Sequence, residues 1–113
     1  MDTIIIEGLE IWPEDLGEMT WYDAMDKVAS LGPAWRLPIG IEFKEILYPN
    51  REKLPGNLDG YYWSSIKFVG NDDYAWIFGK GSSNFVFKFT TNSVCAVRDL
   101  TSDIAIEYLL KDF

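Results

Sequence analysis

At 113 residues with 48% hydrophobic side chains, the chain is long enough for one domain with a real core, and its composition excludes a disordered segment. Its formal net charge of −8 argues against nucleic acid and against an anionic membrane surface as partners, because both repel an acidic chain. A single cysteine, Cys95, excludes an intrachain disulfide, and the absence of histidine removes the commonest general base, metal ligand and pH switch.

The chain opens without a basic n-region and with only three consecutive apolar residues, Ile4 to Ile6, so neither a signal peptide nor a membrane span is read there. The expected location is cytoplasmic, or extracellular if the chain is a fragment of a longer protein. Residues 3–12 are β-prone and broken at Gly8, which predicts one or two short strands. Thr20 is an expected helix N-cap, with Asp23 in the place of a capping-box partner. Trp21, Ala24, Met25, Val28 and Ala29 then recur at helical spacing, and Gly32-Pro33 ends the helix. A second helix is expected over 40–48, burying Ile39, Phe43, Ile46 and Leu47 and stopped by Pro49.

Residues 49–60 read as a long polar loop, of the kind in which binding often resides. The remainder reads as β, with strands at 61–65, 74–78, 85–89 and 94–99. Lys67 to Asp73 is expected to be a second loop, and residues 79–84 a hairpin connection. Tyr74, Trp76, Phe78, Phe85, Phe87 and Phe89 alternate with smaller residues, so the rings are expected to fill the core from one face of each strand. Any ring left exposed would be a binding surface. The tail, 101–113, is too apolar for a free segment; Ile104, Ile106, Tyr108 and Leu110 alternate like a strand while Ile104, Tyr108 and Leu109 fit a helix, the helix being preferred, and it is expected to pack on its own domain rather than on a second copy.

The run Trp35-Arg36-Leu37-Pro38, together with Met19-Thr20-Trp21, Glu42, Tyr62-Trp63-Ser64-Ser65, Ala75-Trp76 and Val97-Arg98, resembles a bacterial domain family of unknown function. Its best-known example forms the C-terminal domain of the Legionella collagen-like adhesin. The resemblance covers about residues 9–99. That family is similar to the C-type-lectin-like fold, which the formylglycine-generating sulfatase-modifying enzymes share. The resemblance implies an α+β domain of C-type-lectin-like architecture, with two helices flanking a twisted, mostly antiparallel sheet and long loops displayed at one end. It implies a structural framework of Trp35, Arg36, Trp63, Trp76 and Arg98, with the three tryptophans largely buried. In one departure, Ile39 stands where the family usually has Thr. Half of the second helix's cap is thereby lost, while Glu42 remains.

Few residues here carry chemistry. Formylglycine-type oxidation needs a cysteine pair, and Cys95 between Val94 and Ala96 reads as a small core residue. Calcium needs six to eight oxygens, and neither Tyr48-Pro49-Asn50 nor Asp72-Asp73 gathers them. No metal or cofactor is expected, and no enzymatic activity. Arg36, in an apolar run, must be paired if its stem is buried, with Asp99 and Glu42 as candidate partners. The function this supports is a non-catalytic module binding a protein, a glycan or a small molecule through the loops at 49–60, 66–73 and 79–84. Its candidate contacts are Asn57, Asp59, Asn71, Asp72, Lys80 and Asn84. The alternative is a structural subunit that self-associates through its tail. A monomer is preferred to a homodimer.

Overall fold

The computed structural model describes residues 2–67 and 70–100. Two short strands, β1 (Ile4–Ile6) and β2 (Leu9–Ile11), form a hairpin. Its two-residue turn, Glu7-Gly8, holds both residues at positive φ, 50° and 81°. The strand β8 (Val97–Asp99) pairs antiparallel with β2, so β2 is the central strand of a three-stranded sheet that joins the chain's N-terminal hairpin to its last described strand. A second, five-stranded sheet has the order β3-β7-β4-β5-β6, from Glu18–Met19, Asn92–Ser93, Tyr62–Lys67, Tyr74–Gly79 and Ser82–Phe87. It is mixed, because β7 meets β4 in parallel through Tyr62 and Ser93. The expected single sheet is therefore two sheets.

Helix α1 spans Trp21–Ser30. Thr20 caps it, its hydroxyl accepting from the Asp23 N–H at 3.3 Å. Trp21, Ala24 and Val28 are buried, but Met25 and Ala29 are exposed, so the buried stripe is narrower than the sequence pattern. The second helix opens as α2 (Gly40–Glu42), widens to π geometry over Phe43–Leu47 and tightens to 3₁₀ geometry over Tyr48–Lys53. Pro49 does not end it. Proline there opens the 3₁₀ stretch, where its missing N–H would have had no partner anyway. Ile39, expected to be buried, is 37% exposed. Residues 49–60 are consequently not a loop of polar character. They continue the helical path and then turn tightly at Pro55–Leu58, with Leu54 and Leu58 buried.

The hairpin of β5 and β6 also differs from its expected form. Gly79 pairs with Ser82, so the connection is the two residues Lys80-Gly81 and not 79–84. Both have positive φ, 50° and 78°, as a type I′ turn demands. The strand expected at 85–89 is thus Ser82–Phe87. The strand expected at 94–99 holds a ladder only at its end. Residues 94–97 instead run as a septum between two cores. Val94 and Ala96 pack with α1, Trp35, Leu37 and Trp63, whereas Cys95 and Val97 pack with Ile11, Phe43, Leu47 and Tyr62. An extended segment points successive side chains to opposite sides, so one short run can serve both cores.

The aromatic strands are turned the other way from their expected orientation. Ala75 and Ile77 are buried, while Tyr74, Trp76 and Phe78 are half-buried and Phe85, Phe87 and Phe89 are 42%, 52% and 69% exposed. The inner side of β5, Ala75 and Ile77, packs into one buried core with Trp21 and Trp63. Trp76, expected to be largely buried, is of intermediate burial, less enclosed than Trp35 and Trp63. Among the described residues no helix is long and apolar enough to cross a membrane. The expected tail helix lies outside the described residues.

Candidate functional site

The Trp35–Pro38 run crosses between the two sheets. Arg36 bridges to Val97, exchanging backbone hydrogen bonds at 2.9 Å in both directions. Its guanidinium donates twice to Glu42, each at 2.8 Å, and once to Asp99 at 3.1 Å. Both partners are those read from the sequence. Glu42 also accepts from the Ile39 N–H at 2.9 Å, so the acidic half of the cap persists without the threonine. Burial pushes the Glu42 carboxyl up, but the guanidinium and the Ile39 N–H outweigh it and hold it below the ordinary value. A second pair, Arg98 with Glu10 at 2.6 Å, lies under the first sheet, with the Arg98 guanidinium 4.9 Å from the Trp35 ring centre. Glu10, 6% exposed, did not stand out in the sequence reading. Its signal was a carboxylate between Leu9 and Ile11 in a strand, which must find a cation if buried.

The tryptophans lock the elements. The Trp21 indole donates to the Ser64 carbonyl at 3.1 Å, and the Trp63 indole to the Met19 carbonyl at 2.8 Å. Trp63 is fully buried and Trp35 is 8% exposed. These residues hold the fold and present nothing to a ligand. Lys88, 4% exposed with its ammonium 4.5 Å from the Trp21 ring centre, was also not singled out by its sequence context.

The concave surface lies between the second helix and the β5–β6 turn. One chamber of about 300 Å³ is walled by Phe43, Tyr48, Leu58 and Phe78, with Lys44 and the backbone of Gly79 and Gly81 at its margin. Phe43 and Phe78 stack with ring centres 5.1 Å apart. A second chamber of about 300 Å³ is lined by Arg51, Asn57, Asp59 and Lys80, and shares Tyr48 and Leu58 with the first. Gly79 makes this arrangement compatible with the sheet. A Cβ there would stand 2.1 Å from the Gly60 carbonyl oxygen, so only glycine lets β5 close against the 54–60 segment. Leu58, which divides the chambers, is buried with φ at 53°, a conformation a leucine keeps only when its burial outweighs the strain.

Of the six candidate contacts, the fold brings together Asn57, Asp59 and Lys80. Asn71 and Asp72 precede β5, whereas Lys80 follows it, so the expected loop cluster is split between opposite ends of that strand. Asn71 is also occupied, its side-chain oxygen accepting from the Asp73 N–H at 2.9 Å. Asn84 lies on β6 and accepts from the Phe85 N–H at 2.9 Å. Phe43, Lys44, Tyr48, Arg51, Leu58 and Phe78 line the cleft as well and are not among the contacts expected from the sequence. Lys44 and Tyr48 are four apart on the helix expected over 40–48, a spacing that could have marked them, whereas Arg51 lies past Pro49, where that helix is expected to stop.

Reactive groups elsewhere are muted. Burial pushes the Cys95 thiol up to about 12, and burial first, then Cys95, pushes the Tyr62 hydroxyl to about 12. Among the described residues no three acidic or cysteine side chains gather as a metal ion would need. Compared with known proteins, the chain matches no family model and no curated sequence.

Proposed function

We propose that this chain is a non-catalytic ligand-binding module of C-type-lectin-like architecture, related to the bacterial family that its Trp35–Pro38 and Tyr62–Ser65 runs resemble. The architecture is supported by the pairing of β2 with β8, which ties the two ends of the fold, and by the Arg36–Val97 bridge between the framework run and the last strand. The binding role is carried by one observation: the two-chamber cleft in which Asn57, Asp59 and Lys80 meet an aromatic wall. Its volume falls at the lower end of small-molecule sites. A non-catalytic role is supported by the chemistry available. The chain has no histidine, and its one thiol is buried and held protonated.

The test is a small-molecule and glycan screen by thermal shift, on the natural chain and on Ser83→Trp. Ser83 is exposed and lines the apolar chamber, so an indole there can occupy the chamber without replacing any core side chain. Compounds that raise the melting temperature of the natural chain and not of Ser83→Trp support the reading. A screen without hits, or hits indifferent to the substitution, overturns it.

A second reading, a self-associating subunit, is favoured by the exposed Phe87 on the edge strand β6 of the five-stranded sheet and the exposed Phe89 in the turn just after it. Light scattering over a concentration series decides it. A dimer converted to monomer by Phe87→Ser supports this reading, and a monomer throughout removes it.

A further inference from the structure

We propose that the cleft selects a small amphipathic monoanion: a molecule with a flat apolar body and one carboxylate, such as an aryl-alkyl acid. This rests on the binding reading above and names its ligand class. The two chambers differ in chemistry and meet at Tyr48 and Leu58, so one molecule can lie across both. Its apolar body would sit against the stacked rings of Phe43 and Phe78, and its head group would reach Arg51 and Lys80.

Charge carries the inference furthest. The chain has 10 basic against 18 acidic residues, yet the charged side chains lining the chambers are Lys44, Arg51 and Lys80 against Asp59 alone. The local balance is therefore opposite to that of the whole chain. Among the described residues the ion-paired cations are Arg36 and Arg98, and none of the three cleft cations forms an ion pair. Arg51 is positioned without being neutralised: it donates to the Tyr48 carbonyl at 2.9 Å and stands 4.3 Å from the Tyr48 ring centre. Its remaining donors suit the planar, bidentate geometry of a carboxylate. Asp59 in the same chamber opposes a second negative charge, which favours a monoanion over a phosphate.

Lys80 adds an independent sign. It occupies the first position of the Lys80-Gly81 turn at φ 50°, where Asn, Asp or Gly is the ordinary choice. A lysine at a strained turn position and beside a cleft, its ammonium 5.8 Å from the Tyr61 ring centre and in no ion pair, fits a role in binding.

The experiment titrates 4-phenylbutyrate, 4-phenylbutyramide and inorganic phosphate into the natural chain, followed by amide NMR shifts. The acid is expected to bind about tenfold more tightly than the amide, in line with one charge-assisted contact. Lys80→Asn and Arg51→Gln should each remove most of that preference, bringing the affinity for the acid close to that for the amide in the same variant. Lys80→Asn suits the turn, so its melting temperature should not fall and unfolding cannot imitate the result. Phosphate should not compete. Equal binding of acid and amide overturns the anion inference and leaves the binding module standing. Tighter binding of phosphate than of the acid also overturns it. Binding of neither organic compound, together with a blank screen, removes both readings.

Discussion

Replacing Glu42 by Ala should destabilise the protein by about 2–3 kcal/mol at pH 7. Two contributions make up that figure. Loss of the bond to the Ile39 N–H removes a helix cap, about 1 kcal/mol. Loss of the paired bonds to Arg36 removes a charge-assisted bidentate contact, in full about 1.5–3 kcal/mol. That second figure is reduced to about 1–2 kcal/mol because the Arg36 side chain is 31% exposed and retains Asp99. Glu42→Gln keeps an oxygen for the Ile39 N–H and loses the charge, so it should cost about half as much. Urea unfolding with an unchanged slope measures both. The carboxyl is held below its ordinary value of 4.5, so its contribution is complete above that pH and is lost as pH falls through the lower folded value. The natural chain and Glu42→Ala should therefore converge in stability as the solution is acidified. A loss under about 1 kcal/mol at pH 7, or a gap that widens in acid, would refute the reasoning.

Trp63→Ala should cost roughly 3–5 kcal/mol by urea unfolding, because it empties a fully buried site and orphans the Met19 carbonyl; a loss below about 1 kcal/mol would mean the ring is peripheral. Gly79→Ala should destabilise by at least about 2 kcal/mol although alanine suits strands better than glycine, since the backbone at Gly60 must retreat. An unchanged midpoint would show that β5 does not press on that segment. Cys95, held protonated to about pH 12, should react with a thiol reagent at pH 8 only at the rate of unfolding. Labelling of the native protein at the rate of a free cysteine would contradict its burial.

Some of this protein is legible locally. Thr20 and the spacing of Trp21, Ala24 and Val28 specify α1, because cap and stripe are written within one short segment. The Arg36 partners follow from elementary electrostatics: a guanidinium in an apolar run needs carboxylates, and Glu42 and Asp99 were the ones at hand. The path past Pro49 was not legible, because proline stops one helix and starts the next turn with equal ease. Nor was the meeting of Arg51 and Lys80, which are far apart in sequence and are joined only when β5 closes on the 54–60 segment. The aromatic strands state the limit most clearly. Alternation in Tyr74-Ala75-Trp76-Ile77-Phe78 determines that the rings share a face, but a period of two carries no sign. Which face is buried is a tertiary outcome: Ala75 and Ile77 close-pack with Trp21 and Trp63, and the rings take the other face, where Phe78 stacks on Phe43.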